Sequence, residues 1–227
     1  MPAANISLET KNILSTKIIV PVVGISSIGK NTLMDKAVQL YPEFYRSSGF
    51  TTREPRYDGE AAYRAYLPDD EASKQALING EGTEALVQYE VHPKTGKMYG
   101  TTLQDYAGKI NLLDTVSNGV DVFRDLGFAA CRPVVLVATP HEWLPRFDSN
   151  NFSQEERNAR IAEGIISIEW SLGQRDKVQW LHNADGQLQA TAETLKSIAT
   201  GGTNPNELEA QKIGTQLLAY LYSISEI

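Results

Sequence analysis

Gly24, Gly29 and Lys30 follow the spacing G-x-x-x-x-G-K, the spacing of a phosphate-holding loop. The residue types carry the chemistry. Glycines allow backbone angles that turn several N–H groups inward, and those groups attract phosphate oxygens together with a helix N-terminus. Lys30 adds a positive charge that reaches terminal phosphates. Asn31 stands where the strict pattern asks for Ser or Thr to supply a hydroxyl to Mg2+, with Thr32 beside it. The plain alternative is a Gly-rich turn before a helix.

A second group lies between residues 44 and 66, where Arg46, Arg53, Arg56 and Arg64 are interleaved with hydroxyl residues in an acidic chain. The planar guanidinium fork suits phosphate, so this segment reads either as an anion clamp or as a solvated loop. His92, His141 and His182 are scattered and match no metal spacing, and no Ser-His-Asp arrangement competes. Cys131 is the single cysteine; it forms no intrachain disulfide and reads as a small buried residue.

These groups need elements to position them. Residues 1–16 read as a loosely ordered lead-in. Lys17–Val23 is strand-like, and Pro21 asks for an edge or a bulge there. A helix follows from Lys30 to Leu40, stopped by Tyr41-Pro42. Asp69 or Asp70 caps a short helix to Ile78. Glu84–Val91 and Lys97–Thr101 alternate as strands, joined by a turn at Pro93–Gly96. Asn111–Val116 is β-prone and Asn118–Leu126 helical. Pro133–Ala138 is continuously apolar, as a strand covered on both faces must be. Ser153 opens a capping box for a long helix. A strand at Lys177–His182 and a helix from Gln187 to Ala199 follow. After a linker at 200–205, a helix over 206–224 carries an apolar face that packs on the body or on another subunit. Strands alternating with helices after the initial loop predict a three-layer α/β domain with a mostly parallel sheet, and a site at the strands' C-terminal ends.

Composition narrows the classes. A chain of 227 residues with 41% hydrophobic content holds one domain, or one with appendages. The formal net charge of −7 argues against binding polymeric nucleic acid, but leaves room for a nucleotide site with locally focused basic residues. No apolar run approaches the ~18–20 residues of a membrane span, and the first 16 residues lack a signal peptide's apolar centre. The expectation is a cytoplasmic protein with no membrane partner.

Taken in order, the motifs resemble guanylate kinase from about Lys17 to Ile198. Gly24–Lys30 is similar to the family's phosphate loop. Thr51-Thr52-Arg53-Glu54-Pro55-Arg56 is similar to its Thr-Thr-Arg-x-Pro-Arg signature. Tyr99-Gly100-Thr101 matches a Tyr-Gly-Thr motif, and Leu112-Leu113-Asp114 the start of Leu-Asp-Ile-Asp. Arg160-Ile161 and Asn183 fall where the family has a lid-side arginine and an adenine-adjacent asparagine. The resemblance implies a P-loop kinase fold over 17–199 with a small β-rich monophosphate-binding region at 45–102 and a lid at 144–160; the extra C-terminal helix over 206–224 lies beyond it. It implies ATP and Mg2+ as cofactors and nucleotides as partners; the apolar face of the 206–224 helix serves either a homodimer or the monomer core.

Residue by residue, it implies that Gly24, Ser26, Ser27, Ile28, Gly29, Lys30, Asn31, Thr32 and Asn183 hold ATP. Arg53 and Arg56, with Ser47, Tyr99 and either Tyr63 or Tyr66, take the monophosphate. Thr101, Gly100, Gln88 and Asp114 complete that pocket. Asn31 and Asp114 face the metal, and Arg160, with Arg157 or Arg146, joins Lys30 on the transferring phosphoryl. The departures are Asn31, Gly49 in place of a serine, Gln88 in place of an acid that reads guanine, Val116 in place of a second Asp, and a missing Arg-Gly pair in Leu144–Ser153. They cluster on base reading and metal binding. The resulting expectation is a nucleoside monophosphate kinase acting on GMP, dGMP or a related nucleotide. The alternatives are a catalytically impaired interaction module, and a kinase of another phosphorylated acceptor such as ribose bisphosphate.

Overall fold

The computed structural model describes residues 6–55, 58–60, 63–79, 85–91, 95–174 and 177–225. Its helices are α1 (Leu8–Leu14), α2 (Lys30–Leu40), α3 (Glu71–Ile78), α4 (Val120–Asp125), α5 (Pro140–Asp148), α6 (Gln154–Gly173), α7 (Leu188–Ala199) and α8 (Glu207–Ile224). Its strands are β1 (Ile18–Val23), β2 (Phe44–Ser47), β3 (Phe50–Thr51), β4 (Ala65–Tyr66), β5 (Leu86–Val91), β6 (Met98–Thr102), β7 (Ile110–Asp114), β8 (Ala130–Cys131), β9 (Val134–Val137) and β10 (Gln179–His182). The larger sheet has the order β10-β9-β1-β7-β2, with β8 also on β1; the smaller has the order β4-β3-β6-β5. In the larger sheet β1 pairs in parallel with β8 and β9, β9 with β10, and β2 with β7. This is the mixed α/β, mostly parallel architecture expected from the alternation of elements.

The chain divides into two compact units. One comprises Met1–Ile19, Glu43–Leu113 and Asp121–Cys131. Its core joins Leu14, Ile19, Val87, Tyr106, Leu113, Phe123 and Leu126. Leu14 belongs to α1, so the expected loose lead-in is instead a helix from residue 8 onward. Ser7 caps it by accepting from the Thr10 N–H at 3.1 Å, and burial of Leu14 holds it down.

The small sheet lies wholly in this unit, and its register sorts its residues onto two faces. Residues paired across neighbouring strands share a face. Phe50 pairs with Ala65 and Gly100, Tyr89 with Gly100, and Val91 with Met98. That face is apolar and packs as a cluster of Phe50, Leu86 and Met98 with Ala65, Leu67, Leu77 and Tyr89 around it. On the other face Thr51 pairs with Tyr66 and Tyr99, Glu90 with Tyr99, and Gln88 with Thr101. Every side chain in that second set is polar.

The other unit comprises Val20–Pro42, Asp114–Val120 and Arg132–Ile227. All of Val134–Val137 is buried, as are the adjacent Trp180 and Leu181 of β10. Successive strand residues point to opposite faces, so these strands are covered on both sides. The helices pack as α2 with α7 and as α6 with α8, and α8 also lies on β9 and β10. Ala210, Ile213, Gly214, Leu217 and Leu221 of α8 are buried. The apolar face left open between body and partner is therefore turned to the chain's own body.

Pro21 corrects an expectation. It is buried inside β1, which lies between β9 and β7, and neither an edge nor a bulge accommodates it. Ile18 and Ile19 pair with Ala130 and Cys131, while Val22 and Val23 pair with Val134 and Val135. The offset is the same on both sides, so Pro21 falls opposite Pro133 in a gap of the ladder. The missing N–H is absorbed where the neighbouring strand is itself interrupted.

Candidate functional site

The two sets of candidate residues fall in different units. In the second unit, β1 runs into the loop Gly24–Gly29 and α2 begins at Lys30. Gly29 sits at φ 98° as the helix N-cap, and a Cβ there would lie 2.3 Å from Asn183 Nδ2, so neither the backbone angle nor the space admits another residue. Ser27 has φ 63°, a left-handed angle costly outside glycine. Lys30 Nζ donates to the carbonyls of Gly24 at 2.6 Å and Ile25 at 3.2 Å, and lies 3.7 Å from Asp114 Oδ1. Asn31 and Thr32 are exposed in the first turn of α2.

Asn183, just past β10, is buried and donates Nδ2 to the Ile28 carbonyl at 2.9 Å. Arg146 of α5 reaches the same carbonyl at 3.3 Å, the Asn183 carbonyl at 3.0 Å and the Asp185 carboxylate. Trp143 Nε1 donates to the Ser26 carbonyl at 2.8 Å, and Asn150 Nδ2 to Ser27 Oγ at 3.0 Å. Sequence reasoning singled out neither Trp143 nor Asn150.

The expected lid segment holds the end of α5, a polar stretch and the start of α6. Arg157 pairs with Asp148 at 2.7 Å and lies over the Phe147 ring at 4.9 Å. Arg160 pairs with Glu163 one turn along α6 at 3.0 Å. Ser153 caps α6 with Glu156 in the capping box read from the sequence. Behind the loop, Glu142 of α5 accepts from Thr139 Oγ1 and N–H, each at 2.8 Å, from Asp185 N–H at 3.2 Å, and contacts His182 Nε2 at 2.9 Å. Burial pushes this carboxyl up, but the bonds from His182, Thr139 and Asp185 outweigh it and hold the pKa at about 2.

The first unit holds the remaining candidates. Arg53 forms a two-armed pair with Glu60, Nη1 to Oε2 at 3.1 Å and Nη2 to Oε1 at 2.9 Å. Its guanidinium lies 5.5 Å from the Tyr63 ring centre and 5.8 Å from that of Tyr66. Tyr63 in turn stands 5.9 Å from both Tyr66 and Tyr99. Both tyrosines between which the sequence left a choice therefore adjoin Arg53, and Tyr66 shares the polar face of the small sheet with Tyr99. Arg56 lies outside the described residues, as do Glu84 and His92.

Three of the candidate residues of this unit carry unpaired buried polar atoms. Ser47 Oγ, Tyr66 OH and Gln88 Oε1 are buried with no hydrogen-bond partner; among the described residues Trp180 Nε1 is the one other such atom. Burial, and after it the Glu60 carboxylate, push the Tyr66 phenol above its ordinary pKa. Thr101 exchanges a 2.7 Å hydrogen bond with Tyr106 OH. Gly49 is explained by its surroundings: a Cβ there would meet the Gly100 carbonyl at 2.4 Å. Arg64 is bound into the fold, with Nε on Asp105 at 2.7 Å and Nη2 on Thr102 at 3.1 Å. Asp70 caps α3 by accepting from Ser73 N–H at 2.8 Å, while Asp69 binds Lys74, Lys97 and Thr52.

Strand, glycine loop, helix and loop-end lysine together define an α/β chain whose first parallel strand runs through a glycine-bounded loop into a helix. Its likeness to guanylate kinase, read from the motifs, is matched among known proteins. The chain is 31% identical to the guanylate kinase of Nostoc sp. (strain PCC 7120 / SAG 25.82 / UTEX 2576) over 131 residues, 57% of this chain and 59% of that protein. The match thus spans less than two thirds of that relative's length. Among solved structures it is similar to guanylate kinase from Anaplasma phagocytophilum, with 18% identity, a TM-score of 0.49, and coverage of 82% of this chain and 86% of that one. No family model matches the chain. Among the described residues, no helix is long and apolar enough to cross a membrane.

Proposed function

We propose that the chain is an ATP-dependent nucleoside monophosphate kinase, moving the γ-phosphoryl of ATP to GMP, dGMP or a related nucleotide. The observation that carries this reading is the polar face of the small sheet. There Tyr66 adjoins the Arg53 guanidinium, Tyr63 bridges it to Tyr99, and Tyr66 OH and Gln88 Oε1 are buried without hydrogen-bond partners. Buried polar groups are normally satisfied, so such a concentration marks a surface built for a polar ligand. The Gly24–Lys30 loop supplies the matching anion seat for ATP phosphates.

Phosphoryl transfer depends on positioning and on neutralising charge. The acceptor's phosphate oxygen forms the new P–O bond as the bond to the leaving ADP oxygen breaks. Lys30 needs only to leave two loop carbonyls to meet the terminal phosphates. Arg53 and Arg56 hold the acceptor phosphate, with Tyr99 and Tyr63 or Tyr66 donating hydroxyls. Of the arginines expected on the moving phosphoryl, Arg160 is the most cheaply recruited, because an exposed pair within one helix is worth only about 0.3–0.5 kcal/mol. Arg146 and Arg157 each have partners on other elements or loops.

Asp114 and Asn31 offer one carboxylate and one amide oxygen. That set fits Mg2+, which binds with one or two carboxylates and completes its shell with phosphate and water. When bound, the metal neutralises phosphate charge. Gln88 supports a shifted acceptor choice: an amide both donates and accepts, so it meets a purine edge that sets a donor beside an acceptor.

A coupled ADP-release assay across GMP, dGMP, IMP and AMP tests the proposal, with turnover of at least one as the expected result. No turnover with any acceptor, together with no ATP binding by calorimetry, overturns it in favour of an interaction module. Turnover confined to a phosphorylated sugar moves the assignment to another kinase class.

A further inference from the structure

We propose that α5 forms the outer wall of the phosphate loop, with Trp143, Arg146 and Asn150 acting as positioning residues that aim loop N–H groups at the bound anion. The inference rests on the phosphate-loop reading and adds what sets that loop's shape.

Trp143 and Arg146 stand at i and i+3, on one face of α5, and Asn150 follows just past its C-cap Ser149. Each touches a different loop residue: Trp143 the Ser26 carbonyl, Arg146 the Ile28 carbonyl, Asn150 the Ser27 hydroxyl. A trans peptide is planar, with its C=O and N–H pointing in opposite directions, and the described chain has no cis bond. Holding the Ser26 carbonyl against the indole therefore turns the Ser27 N–H to the other side. Holding the Ile28 carbonyl between Arg146 and Asn183 does the same for the Gly29 N–H. Lys30 meanwhile covers the carbonyls of Gly24 and Ile25. The carbonyls of Gly24, Ile25, Ser26 and Ile28 are thus drawn off by donor side chains, which favours a donor-rich inner face.

Asn150 adds the remaining element. Ser27 sits at φ 63°, an angle that persists only where the surroundings over-determine it. Asn150 Nδ2 donates to Ser27 Oγ at 3.0 Å and to the Arg146 carbonyl at 2.8 Å, tying the strained residue to the end of α5. Trp143 itself is fixed by stacking on Phe147, with ring centres 4.6 Å apart. Arg146, read from the sequence as a catalytic arginine, here acts on the loop.

Titrating tripolyphosphate into the intact chain by calorimetry tests this. Lys30→Ala should abolish binding, and Trp143→Phe, which keeps the ring stack but removes the donor, should weaken it by about tenfold. Asn150→Ala should weaken it as well, and adding Ser27→Gly to Asn150→Ala should restore it, since glycine adopts the angle unaided. That rescue is a readout that general loss of packing would not produce, and it decides the matter if Trp143→Phe melts early. Binding by Trp143→Phe and Asn150→Ala within twofold of the parent, with Lys30→Ala inactive, overturns the α5 inference alone. A parent chain that does not bind, or a Lys30→Ala variant that binds equally well, overturns the phosphate-loop reading and this inference with it.

Discussion

Arg53 and Glu60 are joined through both arms of the guanidinium, with the glutamate side chain only 3% exposed and the arginine 17%. The pair raises the Arg53 pKa, chiefly through the hydrogen bonds that Arg53 donates to Glu60. Removing one partner takes the opposite charge from the other, at a cost of up to roughly 3–5 kcal/mol. Arg53→Ala alone therefore confounds binding with folding. A double-mutant cycle over Arg53→Ala and Glu60→Gln, read by urea unfolding, should give a coupling of about 2–3 kcal/mol. A coupling below about 0.5 kcal/mol would reduce the contact to an ordinary surface pair. Acceptor affinity is best compared between Glu60→Gln and the double variant, where the stability difference is smallest.

Lys30→Ala removes a side chain whose bonds run to two loop carbonyls and whose charge faces Asp114. The ADP-release rate should fall by about a thousandfold or more, since charge neutralisation carries most of phosphoryl transfer. The melting temperature should stay close to that of the parent, because the lysine is outside the apolar core. Retained activity would mean that Gly24–Lys30 is not the phosphate loop.

Gln88→Glu places a carboxyl where the amide oxygen has no donor. Its folded pKa must rise above the unfolded value of about 4.3. A group shifted in this direction destabilises the fold once pH exceeds the unfolded pKa, and fully so above the folded one. The melting-temperature gap to the parent should be small at pH 4 and widen toward pH 8. GMP, whose N1–H and N2–H2 bring two donors, should narrow the gap, and the GMP-to-IMP preference should rise by about tenfold. A pH-independent gap with unchanged preference would remove Gln88 from the base site.

Asn31→Ser restores a hydroxyl to the exposed first turn of α2. The Mg2+ concentration for half-maximal ADP release should drop several-fold, because a hydroxyl is the ligand that the strict loop pattern supplies there. An unchanged Mg2+ dependence would place the metal away from residue 31.

Glu142→Gln tests the network behind the loop. The parent carboxyl, held at about 2, contributes stability that is fully present above its unfolded pKa and is lost as pH falls through the folded one. The variant should unfold at lower urea concentration at pH 7. The difference should hold down to about pH 4.5 and shrink as pH falls toward and below 2, where the parent carboxyl takes up its proton. A difference that does not change with pH would point to geometry rather than charge.

Much of the fold was legible because its signals are local. The phosphate-loop spacing, the Ser153 capping box and the apolar run of β9 each depend on residues a few positions apart. Misreadings arose where a local rule met a distant partner. Pro21 reads as an edge residue until Pro133 is found opposite it, and residues 8–14 read as loose until Leu14 is found in a core with Phe123. Asp69 and Asp70 are interchangeable as caps on paper; Lys74 and Lys97 claim the first and leave the second to α3. Glu60 and Trp143 carried no signal at all, because a lone glutamate or tryptophan acquires meaning only from the group it touches.

By itself the sequence determined the α/β alternation, the glycine loop with its lysine, and the resemblance to guanylate kinase, because periodicity, turn chemistry and motif spacing act over short stretches of chain. The tertiary structure alone decided that Arg53 is held by Glu60, that the small sheet has one wholly polar face, and that α5 grips the loop from outside. Those are contacts between residues far apart in sequence, or in strand register, and no one-dimensional pattern encodes which buried charge or carbonyl will meet which donor.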